Sequence, residues 1–352
     1  METVWFCLLA LVAAVYALLD GYDLGIGMLY PFVGRTRQQR EAARQTILPV
    51  WDGNEVWLVA GGAILFFTFP RAFSAAFGGF YLAFFVLLWL LVPRGLALEL
   101  RGHVASPLWW DFCDGAFFAA SAALAFIYGV ALGNVLRGVP LDADGYFFVP
   151  FWTGLGIRGS PGVFDWYTLM CGISGVAILI VHGAAFLAMR STDPLYSRAI
   201  AAARWGALPA IAVPAATAVV TPVVNPILLH NFSQHPWAYA LPATAAGASL
   251  AMAVLAWRGR ERATFLASSL LILLLVGSAA LALYPALLIA TTGRPYDLTI
   301  YNSSATHYAL TAGLVWAGVG LLLAGSYSAV NHYLFRGRER PADDSAAPEG
   351  AA

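Results

Sequence analysis

Residues 4–27 of this 352-residue chain, VWFCLLALVAAVYALLDGYDLGIG, form its first long apolar stretch. The stretch is long and apolar enough for a transmembrane helix, which needs about 20 mostly apolar residues. Its only acids are Asp20 and Asp23, near its C-terminal end. Glu2 and no base precede the run, and no convincing small-residue cleavage site follows it, so we expect a retained helix rather than a cleaved signal. The stretch therefore predicts a membrane helix that carries two acids at one end.

The composition of the whole chain indicates a membrane protein. Hydrophobic residues make up 60% and charged residues 11%, and the mean hydropathy is +0.73, whereas a soluble domain carries about 25% charged residues. Nineteen bases balance nineteen acids, so no large basic surface is available for a nucleic acid. Cys7, Cys113 and Cys171 form no CxxC pair, which argues against a zinc module or a disulfide scaffold. A polytopic membrane protein remains.

Nine apolar stretches are long enough to cross a membrane, and we therefore predict an all-α fold. The sixth stretch is the weakest, because Pro209 and Pro214 lie inside it, although neighbouring helices can accommodate proline in a membrane helix. The predicted spans are 4–27, 51–69, 75–93, 116–136, 167–189, 205–221, 237–257, 263–289 and 308–330.

The arginines orient these spans. The chain has nineteen arginines and no lysine, and fifteen of the arginines follow the odd-numbered spans. Cytoplasmic loops are enriched in positive residues, so we expect the N-terminus outside and the C-terminus in the cytoplasm. The four arginines on the outer side are Arg71, Arg137, Arg158 and Arg294.

Four acids collect near the cytoplasmic ends of the first two predicted spans. Asp20 and Asp23 are three residues apart, as are Asp52 and Glu55, so each pair shares one face of its helix. An ionisable group inside a membrane helix costs about 2.5–3.5 kcal/mol, and neither span contains an arginine to compensate for it. We expect these acids to be hydrated, protonated, stabilised by a helix dipole or matched by a partner chain.

Two interpretations of these acids stay open. Asp52 can cap the second helix, where a carboxylate accepts hydrogen bonds from free N–H groups, and Asp20 and Asp23 can be interfacial residues at a helix end. Alternatively, the acids line a path for protons or ions. Trp51, beside Asp52, fits either that path or the aromatic belt of a membrane protein.

The chain offers few ligands for a haem. His182 lies in the middle of the fifth span, and we interpret it as a hydrogen-bonded interior residue, because a haem held by two histidines would need a second one facing it. Only five methionines are present for a mixed pair. His307 stands at an outer helix start, where we expect it to cap the helix. We therefore predict no cofactor or metal bound to this chain.

Several motifs resemble those of one membrane family. The two most specific are Asp20-Gly21-Tyr22-Asp23-Leu24-Gly25-Ile26-Gly27-Met28-Leu29 and Pro49-Val50-Trp51-Asp52-Gly53-Asn54-Glu55-Val56-Trp57-Leu58. Shorter motifs follow in order: residues 75–81, Trp109-Trp110-Asp111, Gly133-Asn134, Gly138-Val139-Pro140, Gly183-Ala184-Ala185 and Tyr284-Pro285. Over nearly its whole length the chain resembles subunit II of the cytochrome bd-type quinol oxidases.

This resemblance implies a multi-pass protein of the bacterial inner membrane, with nine transmembrane helices as two four-helix bundles plus one peripheral helix. The N-terminus would be periplasmic and the C-terminus cytoplasmic. On the predicted spans, the first bundle takes residues 1–136 and a periplasmic connection takes 137–166, a peripheral fifth helix with a cytoplasmic loop takes 167–204, the second bundle takes 205–335, and a disordered cytoplasmic tail takes 336–352.

The resemblance also implies a function shared between chains. Subunit II pairs with a similarly folded subunit I, which holds haems b and d and the main quinol site, and a small single-span subunit often accompanies the pair. The complex oxidises quinol and reduces dioxygen to water. By motif, its proton path would correspond here to Asp52 beside Trp51 and to Asp20 or Asp23, and Glu55 shares the face of Asp52. We therefore expect a haem-free subunit that contributes acids to proton uptake.

Two other classes of function fit parts of the pattern. A secondary transporter would explain many helices with intramembrane acids, but it predicts an inverted repeat and a site at the midplane, whereas these acids lie near one edge. A purely structural partner of subunit I would need no acids, and it would tolerate their replacement by asparagine.

Overall fold

The chain is helical over most of its length, which confirms the all-α prediction. The structure is a computed structural model that describes residues 1–156, 161–335 and 337. The helices of this described part are α1 Glu2–Val33, α2 Arg37–Gln45, α3 Trp51–Thr68, α4 Pro70–Gly79, α5 Tyr81–Leu100, α6 Pro107–Arg137, α7 Trp166–Arg190, α8 Leu195–Val224, α9 His230–Gln234, α10 Ala240–Trp257, α11 Glu261–Leu283 and α12 His307–Leu334. Single 3-10 turns cover Pro226–Leu229, Pro236–Tyr239 and Arg294–Tyr296.

Within the described ranges, four short strands lie in the connections between helices. Strands β1 (Trp152–Gly154) and β2 (Phe164–Asp165) pair in parallel before α7, and β3 (Ala286–Leu288) and β4 (Leu298–Thr299) pair antiparallel before α12. The predicted tail 336–352 lies outside the described residues, apart from residue 337.

Eight helices of the described chain are long and apolar enough to cross a membrane. They are α1, α5, α6, α7, α8, α11, α12, and α10 together with the turn before it. Helices α3 and α4, which meet at an angle of 119°, can form a ninth crossing as a bent pair. The prediction of a polytopic membrane protein is confirmed, with eight or nine candidate crossings in the described residues.

The break between α3 and α4 changes the second and third predicted spans. Phe69 separates the two helices and precedes Pro70, and proline disfavours helical backbone at the residue before it. The predicted span 75–93 therefore begins inside α4 and continues into α5. Helix α5 itself runs on to Leu100, which places Arg94 inside a helix rather than in a loop.

Two later spans also have different ends from those predicted. The sixth span is one continuous helix, α8, although it contains Pro209, Pro214 and Pro222. The eighth predicted span, 263–289, is too long, because α11 ends at Leu283 and the chain then enters β3. The apolar residues of that strand prolong the hydropathic signal beyond the helix.

Helix α7 lies inside the packing of the chain rather than at its periphery, where the fifth span was predicted. It packs against α1, α6, α8 and α11. In its most apolar stretch 61% of the residues are buried, compared with 11% in that of α12. Gly25 and Gly183 allow α1 and α7 to approach, since a Cβ added at Gly183 would lie 2.5 Å from the carbonyl carbon of Gly25. Helix α12, which packs chiefly on α3, is the more peripheral one. The grouping into two four-helix bundles stays a prediction.

Ion pairs hold α2 against the junction of α5 and α6. Arg101, which follows α5, contacts Glu41 at 2.7 Å and Asp114 at 2.6 Å. Arg44 contacts Glu41 at 2.6 Å, and Arg40 contacts Asp114 at 3.1 Å. Burial alone would raise the pKa of Glu41, but hydrogen bonds from Arg44 and a neighbouring amide, with the arginine charges, hold its pKa below the usual value.

Candidate functional site

The acids of the first predicted span lie inside the protein. Every residue of α1 from Asp20 to Tyr30 is buried, and Asp20 and Asp23 are fully buried. This part of α1 is enclosed because α3, α6, α7 and α11 pack against the helix. A carboxylate in such a place needs charged or hydrogen-bonding partners.

The main partner of these acids is Arg94 of α5. Its side chain is also fully buried, and both of its terminal nitrogens donate to the carboxylate of Asp20. Nη1 donates to Oε1 of Glu55 at 2.7 Å, and Nη2 lies 4.0 Å from Oδ2 of Asp23. The expectation that no arginine of this chain matches the acids is therefore wrong. It considered only the first two spans, whereas Arg94 comes from the third, just beyond its predicted end.

Asn54 of α3 binds Asp23 on the other side. Its side-chain nitrogen donates to Oδ2 of Asp23 at 2.8 Å and to the hydroxyl of Tyr22 at 2.7 Å. The Tyr22 hydroxyl is 2.8 Å from Nε2 of His332, near the end of α12. Because Tyr22 and Asp23 are fully buried, the amide satisfies polar groups that would otherwise lack a partner.

Tyr16 and Tyr128 extend the cluster away from Asn54. Tyr16 donates to Oδ2 of Asp20 at 2.8 Å, and its hydroxyl is 2.5 Å from that of Tyr128. One hydroxyl carries one proton, so Tyr128 must be the donor in the tyrosine pair. Asp20 thus accepts hydrogen bonds from both a guanidinium and a phenol.

The cluster contains more acids than bases. Three carboxyl groups, from Asp20, Asp23 and Glu55, surround the single guanidinium of Arg94. Ionisation of all three would leave unpaired negative charge in a buried site, which is costly. Within the described structure, Oδ1 of Asp23 and Nε of Arg94 are buried without a hydrogen-bond partner, and such atoms commonly bind an internal water. The arrangement is suited to holding protons and water.

Glu55 connects the cluster to the surface of the chain. Its side chain is 24% exposed, whereas that of Arg94 has no exposure. Asp52 lies one turn earlier on α3 and is exposed. Glu55 is therefore a member of the cluster through which a proton can reach the outside of this chain.

Two predicted site residues lie outside the cluster. Asp52 makes no hydrogen bond or ion pair with any other residue in the described ranges, and no side chain caps the N-terminus of α3. Trp51 is buried, and its indole nitrogen donates to Oε1 of Glu99 at 3.0 Å. The structure thus brings together Asp20, Asp23 and Glu55 and leaves Asp52 and Trp51 apart from them.

The buried histidine His182 has a hydrogen-bond partner at each ring nitrogen. His182 is buried, and its ring nitrogens lie 2.8 Å from the hydroxyl of Ser268 and 3.0 Å from the carbonyl oxygen of Leu18. Both nitrogens are engaged, so neither is free to ligate a haem iron. Thr306, rather than His307, caps α12. Among the residues that the structure describes, no three His, Cys, Asp or Glu side chains are grouped as metal ligands.

Sequence reasoning missed several members of the cluster. Arg94 was not predicted as a member, because the third predicted span ends at residue 93, just before it. Asn54 is uncharged, so it does not stand out between Asp52 and Glu55. The contact of Tyr16 with Asp20 could have been predicted, because residues four positions apart lie one turn away on the same helix face.

Fold and site together define an α-helical, polytopic membrane protein with a buried carboxylate–guanidinium cluster that opens at Glu55. The family model described as "Cytochrome bd terminal oxidase subunit II" matches residues 1–335. The chain belongs to this family. The resemblance seen in the sequence motifs is thereby confirmed.

Individual relatives agree over nearly the full length. The chain is 28% identical to the "Cytochrome bd-I ubiquinol oxidase subunit 2" of Escherichia coli K12, covering 92% of this chain and 90% of the relative. It is 27% identical to the "Cytochrome bd ubiquinol oxidase subunit 2" of Bacillus subtilis 168, covering 96% of each. A chain of the bd oxidase structure from Geobacillus thermodenitrificans matches with a TM-score of 0.71 and 18% identity, over 95% of this chain and 98% of that one. The chain is therefore a multi-pass protein of the bacterial inner membrane.

Proposed function

We propose that this chain is the haem-free subunit II of a bd-type terminal oxidase, which oxidises quinol, reduces dioxygen to water and generates a proton gradient. Its family and the names of its relatives as ubiquinol oxidase subunits support the proposal. In the assembled oxidoreductase, haems b and d and the main quinol site belong to a similarly folded subunit I. A small single-span subunit and membrane lipids complete the proposed complex.

The side chains of this subunit fit such a division of labour. Both nitrogens of His182 already have hydrogen-bond partners. The buried cluster consists of carboxyl groups, a guanidinium, an amide and phenols. Carboxyl and phenol groups bind and release protons, so they suit proton supply better than electron transfer.

A proton-supply role is the part of the proposal that this chain's own geometry supports. Dioxygen reduction consumes protons, and one buried guanidinium, that of Arg94, lies within 4.0 Å of three acids from two helices. This is the single observation that carries the proposal, because excess carboxyl groups around one cation can exchange a proton without changing their positions. Glu55 is both in contact with Arg94 and partly exposed, so it can pass that proton to a neighbouring polypeptide.

We place proton uptake on the cytoplasmic side, with the N-terminus periplasmic and the C-terminus cytoplasmic. Fifteen of the nineteen arginines follow odd-numbered predicted spans, and all of these except the buried Arg94 support this orientation. The acids of α1 lie toward its C-terminal end, which this orientation directs to the cytoplasm. If quinol releases its protons outside while these acids take protons from inside, charge is separated without a pump. Asp52 and Trp51 stay in the proposal as residues at the mouth of the path.

The test uses Asp20→Asn and Asp23→Asn in the whole complex. The visible haem spectrum is recorded first and quinol-dependent oxygen uptake second. We expect an unchanged spectrum and uptake reduced by at least about tenfold, the scale on which positioned proton-transfer groups act. Asp144→Asn is the matched control, because Asp144 is an exposed loop carboxylate.

Two outcomes would contradict the proton role. Normal oxygen uptake in both variants would exclude these acids from the path. Loss of the haem spectrum would indicate instead that the acids stabilise subunit I, as a purely structural partner would. An Asp52→Asn variant with normal uptake would remove Asp52 from the proposed path without affecting the buried acids.

A further inference from the structure

His332 links the rim of the chain to a fully buried phenol. It is half-buried in the last turn of α12, and its Nε2 lies 2.8 Å from the hydroxyl of Tyr22. Its Nδ1 lies 2.8 Å from the carbonyl oxygen of Ser328. A carbonyl oxygen only accepts, so Nδ1 of the neutral ring carries the proton and Nε2 accepts from Tyr22. The imidazole therefore has a defined tautomer that faces inward as an acceptor.

Asn54 holds the Tyr22 phenol close to Asp23. The amide nitrogen is 2.7 Å from the phenol oxygen and 2.8 Å from Oδ2 of Asp23, so those two oxygens are at most 5.5 Å apart. A single water can bridge such a distance. Independently, Oδ1 of Asp23 is buried and has no partner among the described residues. A buried carboxylate oxygen without a donor marks the place where a water or a proton binds.

We propose that His332 and Tyr22 form a proton-uptake route to Asp23, separate from the exposed carboxylate of Asp52. This inference rests on the proposed function, and it adds residues to the path. It also assigns a role to α12, which is the least buried of the eight single helices in the described chain that can cross a membrane.

Each step of the route conserves protons. The hydroxyl hydrogen of Tyr22 first turns from His332 toward the water beside Asp23. The His332 ring then turns outward, binds a proton from the cytoplasmic water at Nε2, and turns back to Tyr22. The imidazolium gives this proton to the Tyr22 oxygen while the original hydroxyl proton passes through the water to the Asp23 carboxylate. Tyr22 gains one proton and loses one, and His332 returns to its neutral form. The net transfer is one proton from the cytoplasmic water to Asp23.

The surroundings favour transfer over storage. Among the described residues, Tyr22 of α1 and the guanidinium of Arg190 of α7 lie next to His332. Arg190 donates to the carbonyl oxygen of Phe335 beside the end of α12, and its positive charge disfavours a lasting imidazolium. Imidazole suits such a transient role, because it can accept and release a proton near neutral pH.

The test uses Tyr22→Phe and His332→Gln in the whole complex, and measures the haem spectrum and quinol-dependent oxygen uptake from about pH 5.5 to 8.5. We expect an unchanged spectrum, uptake reduced by at least about tenfold, and a deficit that grows toward high pH, where protons are scarce. His307→Gln is the matched control, because His307 is exposed at the other end of α12. Tyr22→Phe keeps the ring that stacks on Phe186 with centroids 3.9 Å apart.

An Asp23→Asn arm separates this inference from the proposed function. Slow uptake in Asp23→Asn with wild-type rates and pH profiles in Tyr22→Phe and His332→Gln overturns the route and leaves the proposed function intact. Wild-type behaviour in all three overturns both. Loss of the haem spectrum in Tyr22→Phe also overturns the route, because Tyr22 would then have a structural role. A defect in Tyr22→Phe that His332→Gln does not share overturns it as well, because Tyr22 would then act without the histidine.

Discussion

Arg94 and Asp20 form a buried ion pair, since their side chains are 0% and 1% exposed. Arg94 belongs to α5 and Asp20 to α1, and Glu55 adds α3 to the same contact. A buried ion pair contributes little net stability compared with apolar packing, but removal of one partner leaves an uncompensated charge. Arg94 therefore joins three helices through contacts whose loss would leave a buried charge unpaired.

Arg94→Gln should destabilise the subunit strongly. The substitution leaves Asp20, Asp23 and Glu55 without their cation, and breaking a buried pair costs about 3–5 kcal/mol. The measurement is the thermal midpoint of the purified complex. Arg258→Gln, at an exposed turn, serves as the control and should lie within about 0.5 kcal/mol of the wild type. Equal midpoints for the two variants would contradict the buried ion pair.

Tyr16→Phe should produce a smaller loss. It keeps the ring and removes the hydrogen bond of 2.8 Å to Asp20, and a hydrogen bond to a charged group contributes about 1.5–3 kcal/mol. Tyr146→Phe is the control, because Tyr146 is an exposed loop residue. Thermal unfolding of both complexes checks the prediction, which fails if the two variants unfold together.

Gly183→Ala should disturb the contact between α1 and α7. The added methyl would lie 2.5 Å from the carbonyl carbon of Gly25, and overpacking of this kind costs about 1–3 kcal/mol. Gly247→Ala in α10 meets nothing within 4 Å. Because alanine is about 1 kcal/mol better than glycine within a helix, this control should be neutral or stabilising. A stabilising Gly183→Ala would show that the helices are farther apart than described.

Glu41 predicts a pH-dependent contribution to stability. Its pKa in the folded protein lies below the ordinary 4.5, so the unfolded chain binds the proton more tightly. The stabilisation is therefore complete above about pH 4.5 and is lost as the pH falls through the lower, folded pKa. The difference in thermal midpoint between wild type and Glu41→Gln should be present at about pH 6 and should shrink under more acid conditions. A difference that grows toward acid would reverse the sign and contradict this account.

The acids of the site could be predicted, and their cation could not. A carboxylate within an apolar run is costly enough to attract attention, which marked Asp20, Asp23 and Glu55. Arg94 stands at the edge of its apolar run, where an arginine in a loop and a buried arginine give the same pattern. Only the contact between α1, α3 and α5 distinguishes them, and sequence spacing within single helices does not contain that contact.

The position of each helix in the packing was equally inaccessible. Both α7 and α12 are apolar enough to cross a membrane. Within the chain, however, 61% of the most apolar stretch of α7 is buried, compared with 11% of that of α12. An apolar side chain is suited to face either lipid or protein, because lipid tails are as apolar as leucine. Gly25 and Gly183, which meet between α1 and α7, are visible in the sequence. They do not mark an interior helix there, because glycine is common in membrane helices in general.

The break at Phe69 leaves α3 with eighteen residues, or about 27 Å at 1.5 Å per residue. That is less than the hydrocarbon layer of about 30 Å, so α3 can cross it only as part of the bent pair with α4. The first turns of α3 also hold Asp52 and Glu55. A short crossing is matched by local thinning of the bilayer or by cover from another protein. Reconstitution in lipids of increasing acyl-chain length should therefore weaken the complex first at α3. The hydrophobic thickness of the bilayer then influences how well α3 keeps its carboxylates in place.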